Sequence, residues 1–500
     1  MSFKPVILWT DALVYVLIAV IVIFAWQVRR HEHLLAPWRR VGHSASGMAA
    51  LTILMFFIVI GLLDTIHLRP AIQNGNGGSE AAYGVEVLSL LDLLGTPLRT
   101  QVETTYSAPF ATHLYARETV ELPDGGQVRE FPRLKFGGAH LQDPEAQLAG
   151  DIATRAAAGT GLALLLWFLI ATSVIALVAH RRNERFLSTF SAIWRGITPV
   201  PWRAVFVTLA LILLLGGAAL ALCSDYHILG TDKVGQDVFY QSLKSIRTGL
   251  LIGTLTTLMM LPFALLLGVA AGYFRGWVDD LIQYLYTTLS SIPGVLLIAA
   301  TVLMMQVYME THPELFDTIA ARADLRLLFL CIILGVTSWT GLCRLLRGET
   351  LKLREMEYIQ AATAFGVSHW RIISRHIIPN VMHIVLITTV MDFSGLVLAE
   401  AVLSYVGVGV DPSTISFGTM INAARLEMAR EPMVWWALFA AFSFMFALVL
   451  SANLFADAVQ NAFDPRMKTL AALARTWRRK KHREEPVTKS SSPSEDSLPS

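Results

Sequence analysis

The stretch 357–380, EYIQAATAFGVSHWRIISRHIIPN, decides how this chain is read. It is polar, yet it lies between two strongly apolar segments. Residues 349–365 are good helix formers and stop at Gly366, which supplies a left-handed cap. Ser368 can start a second helix over 369–378. Pro379 lacks a backbone N–H and either closes that helix or opens the next apolar segment. The second helix gathers Trp370, Ile373, Ile377 and Ile378 near one face and leaves Arg371, Arg375 and His376 off it. Such a helix suits a membrane surface as well as a docking surface for a partner. The residues alone favour neither.

Outward from this stretch the composition is that of a membrane protein. The 500 residues are 54% hydrophobic and 16% charged, where a soluble chain carries about a quarter charged. The apolar residues cluster in runs near the ~20 residues that cross a bilayer as a helix. Nine spans are expected, over about 8–27, 47–66, 158–179, 204–223, 249–273, 281–307, 326–346, 381–401 and 433–456. Arg29, Arg30, Arg39 and Arg40 lie in one loop. Arg181, Arg182, Arg185, Arg195 and Arg203 lie in another, and RTWRRKKHREE follows the last span. With nine spans these fall on one side, which is therefore cytoplasmic. The amino terminus is then outside and the carboxyl terminus inside. The first span is a retained one, because its basic cluster follows rather than precedes it.

Two parts are expected: three spans over 1–200, with an outside segment at 67–157, and six spans over 201–467 with short connections. The outside segment carries ATHLYARETVEL and QVREFPRLKF around Pro123-Asp124-Gly125-Gly126, a turn between strands. NGNGGS at 74–79 reads as a loop. A small β-containing domain fits this length. The tail, basic from 468 and then EPVTKSSSPSEDSLPS over 485–500, has too little apolar surface to fold. Cys223, Cys331 and Cys343 are isolated and read as core-filling residues. His31 and His33 alone make a poor metal site. Met304 and Met305 read as core packing, Trp9, Trp26, Trp435 and Trp436 as interface anchors, and Pro262 and Pro293 as kinks within spans.

Gln360-Ala361-Ala362-x3-Gly366, nine residues, then His376-x-Ile378-Pro379 resembles the EAA loop of binding-protein-dependent ABC importer permeases, EAA-x3-G-x9-I-x-LP. The chain departs from it at Gln360 for Glu, His376 for Ile and Ile378 for Leu, and keeps the Gly-to-Pro spacing. The resemblance covers about 201–467 and points to the dipeptide/oligopeptide/nickel branch. HILGTDKVGQDV at 227–238 is similar to its HPLGTDxxGRDV, and GYFRGWVD at 272–279 to its GYxGGWVD. LAEAVLSYVGVG at 398–409 is similar to LAEAxLSFLGLG, and AFDPR at 462–466 to ALDPR.

The resemblance implies an all-α, polytopic, type I ABC importer transmembrane domain in the bacterial cytoplasmic membrane. It implies two ATPase subunits docked on the 357–380 loop, a second permease subunit, and an extracytoplasmic substrate-binding protein, with peptides as the commonest substrates of the branch. ATP is expected on the ATPase subunits and no cofactor on this chain, whose sequence holds no G-x4-G-K-[ST]. No catalytic or metal site and no nucleic-acid partner is expected; the other partner is membrane lipid.

Gly230, Asp232, Gly235 and Asp237 form an outer loop, for which a turn role is the commoner one. Asp392 and Glu400 share a span, and carboxylates in hydrocarbon usually face a bundle interior or a water path. Eight positions at ~100° per residue return them to nearly the same face. Of the two, Asp392 is the better pathway candidate. The rival reading is a membrane-anchored sensor or assembly subunit that uses the 67–157 domain without transport. No output domain follows the last span to support it. A secondary transporter would need paired ionisable residues in matching halves, which the sequence lacks.

Overall fold

A computed structural model describes residues 3–30, 32–72, 82–84, 86–121, 127–315 and 318–463. The expected loop at 74–79, the turn at 123–126, His31, residues 464–466 and the tail from 468 lie outside the described residues.

The amino-terminal part begins with strand β1 (Phe3–Val6) and the apolar helix α1 (Trp9–Arg30). The amphipathic α2 (Glu32–Val41) and α3 (Ala45–Thr65) follow, the latter capped by the Ser44 side chain on the Gly47 N–H. β2 (His67–Ile72) pairs antiparallel with β1, with β3 (Ala82–Tyr83) and with β4 (Leu88–Ser89), so the start of the chain belongs to the sheet of the 67–157 segment. Two short helices, α4 (Leu90–Leu94) and α5 (Thr96–Thr100), precede an exposed hairpin of β5 (Glu118–Glu121) and β6 (Gln127–Glu130).

Helix α6 (Pro144–Arg182) runs 39 residues from its Asp143 cap to Asn183, which is left-handed at φ 56°. The amphipathic α7 (Phe186–Trp194) connects it to α8 (Trp202–Leu222). α6 and α8 pack through small residues: a Cβ on Gly159 would lie 2.3 Å from the Gly217 carbonyl oxygen. In hydrocarbon, where burial of apolar groups drives nothing, such close approach is the main source of helix affinity.

The second part is built on α9 (Val238–Phe274), which contains Pro262. α10 (Trp277–Ser291) and α11 (Gly294–Thr311) follow. Next come α12 (Ile319–Ser338), α13 (Thr340–Arg354), α14 (Glu357–Ala364) and α15 (His369–Ile372). A π-helical turn, Ile373–Ile377, leads into α16 (Ile378–Val406). α17 (Phe417–Glu427) and α18 (Trp436–Phe463) complete it.

α9 is the hub, touching α3, α12, α13, α16 and α18. Its Gly268 and Gly272 let α13 approach: Cβ atoms there would lie 2.8 Å from the Cys343 carbonyl oxygen and 2.6 Å from Thr350 Cβ. α9 also fixes the sense of the molecule. It starts at the 227–237 loop and ends beside the 357–380 stretch, and α1 begins on the 227–237 face.

Several expectations are revised. Eight helices among the described residues, not nine, are long and apolar enough to cross a membrane. The expected span 281–307 is two helices, because Pro293 sits at the amino end of α11 and cannot continue α10. The expected span 326–346 is likewise broken at Trp339 into α12 and α13, and α12 carries Arg322, Asp324 and Arg326. α12 still passes from Thr10, which donates its N–H to Asp324 (3.2 Å), toward the face where Arg347 of α13 lies. Met304 faces outward at 74% exposure rather than filling a core. Trp436 is no surface anchor either: it is buried, and its Nε1 donates to the Thr231 carbonyl at 2.9 Å. The three cysteines are free and buried.

Candidate functional site

Three places carry the residues singled out by sequence: the 357–380 stretch, the two carboxylates of α16, and the outer loop.

The helix expected over 349–365 is interrupted at Glu355 and Met356. Glu355 turns aside to pair with Arg275, which ends α9 at φ 58°. Arg354 donates to the Tyr273 carbonyl at 2.7 Å. α14 then leaves at an angle, with Ile359 buried beneath it. Gln360 is exposed, and its Nε2 donates to the Glu355 carbonyl at 3.3 Å. Ala361 faces solvent and Ala362 is half-buried against the core.

Gly366 has φ +74° and open space where a Cβ would be, so the turn is what it provides. The amide N–H groups of Phe365, Gly366 and Val367 bond back to Ala361, Thr363 and Ala362. Ser368 precedes α15 but makes no side-chain cap. Ile372, Ile373 and Ile377 are buried, whereas Trp370 is 72% and Phe365 87% exposed. The expected apolar face therefore excludes Trp370. Pro379 does not close the second helix but opens the next apolar segment. It sits in the first turn of α16, and the π turn before it absorbs the lost bond. His376 is half-buried against Tyr358, and its carbonyl accepts from Asn380 Nδ2 at 2.7 Å. Ile378 is also half-buried.

The result is an elbow of two short helices, seated on α9, α13 and α16 and rigidly continuous with α16. Between it and the end of α9 lies a cleft of about 630 Å³, where Tyr273, Gln360 and His369 meet. Tyr273 Oη and His369 Nδ1 stand 2.8 Å apart. Beside it Arg347 grips Asp279 with two N–H groups, at 2.6 and 2.7 Å.

Asp392 and Glu400 do not share surroundings. Glu400 is buried and accepts from the Ser404 and Ser416 hydroxyls at 2.7 and 2.8 Å. It ties α16 to the cap of α17. Asp392 is half-buried and lines an open cavity of about 530 Å³ between α9, α13 and α16.

In the outer loop both aspartates are held by hydrogen bonds. Gly230 and Gly235 have φ +68° and +76°. Asp232 accepts from the Val234 and Gln236 N–H groups and from Gln241, at 3.0, 2.8 and 2.6 Å. Asp237 caps α9 on the Tyr240 N–H at 3.0 Å and faces His227 Nδ1 at 2.8 Å. The insert locks onto this loop: Glu103 donates its N–H to the Gly235 carbonyl, and a Cβ on Gly235 would fall 1.9 Å from the Glu103 carbonyl oxygen. The Glu103 carboxylate takes the N–H groups of Lys135, Phe136 and Gly137 and stands 3.6 Å from His227 Nε2. Burial alone would lower the His227 pKa, but the hydrogen bond to Asp237 and the Glu103 carboxylate carry it up to about 9. Burial would raise the Glu103 carboxyl, yet His227 and the three N–H groups hold it below its usual range.

The family profile of binding-protein-dependent transport system inner membrane components matches residues 264–469. The oligopeptide transport system permease protein of Mycobacterium tuberculosis is 32% identical over 244 residues, 49% of this chain and 77% of the relative. The chain belongs to the binding-protein-dependent inner-membrane permeases. The glutathione transport system permease protein of Pectobacterium atrosepticum is 31% identical over 246 residues, 49% of this chain and 75% of its own. The dipeptide transport system permease protein of Bacillus subtilis is 28% identical over 242 residues, covering 48% and 69%. The chain is thus a permease subunit of an ABC importer and a multi-pass inner-membrane protein. The sensor or assembly reading finds no support in these likenesses.

Sequence reasoning missed the ion network that joins the permease's first 100 residues to α9. Arg247 donates to Asp11 at 2.7 Å, with His67 against the same carboxylate at 2.8 Å. Lys244 holds Asp64 and Asp92, each at 2.8 Å. The signal was present: Asp11 and Asp64 lie inside apolar runs, where a carboxylate needs a partner. Among the described residues no group of three or more His, Cys, Asp or Glu is placed to hold a metal ion.

Proposed function

We propose that this permease forms half of the pore of an ATP-driven importer whose cargo is peptides. The observation that carries the proposal is the elbow at 357–380. It presents exposed Phe365, Trp370 and Gln360 on a turn welded to α16, in a chain whose relatives are named for oligopeptide, glutathione and dipeptide transport. A separate ATPase pair binds ATP, closes, and pushes on this elbow. Because the π turn makes α15 and α16 one continuous rod, that push tilts α16 and switches access from one face to the other. A second permease completes the pore, and a binding protein delivers cargo to the face that bears the outer loop and the insert. That face is outside, with the amino terminus, and the carboxyl terminus is cytoplasmic, in keeping with the arginine-rich loops.

Gln360, which gives up the carboxylate of the family pattern, instead holds the Glu355 carbonyl at the break before α14. Ala361, Ala362, Gly366, His376, Ile378 and Pro379 shape the same surface. The test is the double variant Ala362→Asp with Gly366→Ala in the assembled transporter. Peptide uptake should fall about tenfold or more, and capture of the ATPase by the tagged permease should weaken. Undiminished ATPase capture would sink the docking role.

A further inference from the structure

Asp392 is placed where a lone charge is hardest to keep. It is fourteen residues from Ile378 and fourteen from Val406, the two ends of α16. At 1.5 Å per residue it stands about 21 Å from either end, at mid-membrane depth. An ionisable group at this depth is costly and survives where it faces a partner or a path. The permease supplies partners to its buried carboxylates. Asp11 has Arg247, Asp64 has Lys244, Asp279 has Arg347, and Glu400 has two serine hydroxyls. No described residue bonds to Asp392. It opens instead on the cavity of about 530 Å³, whose wall is apolar at Met260, Leu342 and Met391 and offers hydroxyls at Ser338, Thr388 and Ser394.

We infer that Asp392 is a recognition point for the ammonium group of a substrate in transit. The chemistry selects this class. A single carboxylate with a few hydroxyls is too sparse for calcium or magnesium, which take six or more oxygens. An ammonium carries three donors and one charge, and it is satisfied by one carboxylate and two hydroxyl acceptors. The surrounding apolar wall strengthens that pairing and disfavours an anion. The free amino terminus of a peptide is such a group, so this inference rests on the transport reading above and narrows its cargo.

The test uses the full transporter, purified with its ATPase and treated with a hydrophobic carbodiimide, which modifies unpaired carboxyl groups in apolar surroundings. Labelling at Asp392 is read by mass spectrometry with no ligand, with trialanine and with N-acetyl-trialanine. Trialanine should slow labelling about tenfold, the worth of one charge-assisted hydrogen bond, and the acetylated peptide should not. Equal labelling in all three, or none without ligand, overturns the inference, the latter because it means the carboxylate is already paired in the assembly. Asp392→Asn should cut trialanine uptake about tenfold with ATPase capture intact; unchanged uptake overturns it. Wild-type uptake separates the two readings. Protection by trialanine without peptide uptake keeps the ammonium site and rejects peptide import. Peptide uptake without protection does the reverse.

Discussion

Single residues at the outer loop carry more of the architecture than their size suggests. Gly235 is both left-handed and pressed against the Glu103 backbone, so Gly235→Ala is expected to cost at least about 2 kcal/mol. Gly366 has the same handedness but open surroundings, so Gly366→Ala should cost only about 1 kcal/mol. Thermal melts of the purified permease would show that ranking; equal shifts would contradict it.

His227 makes a pH prediction. Its folded pKa of about 9 lies above the ordinary 6.5, so folding stabilises the protonated ring. That stabilisation, about 3 kcal/mol from the shift, is complete below pH 6.5 and is lost as pH rises through about 9. His227→Gln should flatten the loss of melting temperature between pH 7 and 10.

At the scale of elements, the sequence located both helices of the elbow and the turn between them but misjudged how they join the bundle. Gly366 was legible because only a left-handed position explains a glycine there. The break at Glu355 was not, because it depends on Arg275, eighty residues away. Trp370 was misassigned for a related reason: periodicity gives a face, and tertiary packing chooses which residues of that face are covered. The broken spans at Pro293 and Trp339 follow a similar rule, since apolar content reads the same on either side of a break. Close packing of α9 on α13 gives a further test. Gly272→Leu would drive its side chain into Thr350 and the Arg347 carbonyl, at an expected cost of about 1–3 kcal/mol. The helices should separate enough to expose Cys343, now wholly buried, to thiol reagents.

At the scale of the whole permease, the amino-terminal part is not a loose appendage. It is pinned to α9 by Lys244 and Arg247 and to the outer loop by Glu103. Lys244→Ala would leave Asp64 and Asp92 buried without their cation, an expected loss of about 3–5 kcal/mol. Lys244→Ala combined with Asp64→Asn and Asp92→Asn should recover a measurable part of it in the same melting assay. This network was only half legible. Carboxylates inside apolar runs announce that partners exist, but not which lysine or arginine supplies them, because the pairs span up to 236 positions of sequence. Strands β5 and β6 were readable from their alternation, whereas β2, β3 and β4 were not, and the pairing of β1 with β2 joins segments that nothing local connects.

The length of α6 sets a distance. Its first fourteen residues, from Pro144, precede the apolar stretch and add about 21 Å of unbroken helix to it. Arg155 of that shaft pairs with Asp225 at the end of α8, and Asp151 accepts from Tyr226, so the shaft is braced at its base. The permease therefore carries a braced shaft on the face that bears the insert, packed there beside Leu141 and Tyr226. Any protein that docks on that face would meet this shaft together with the insert packed on it.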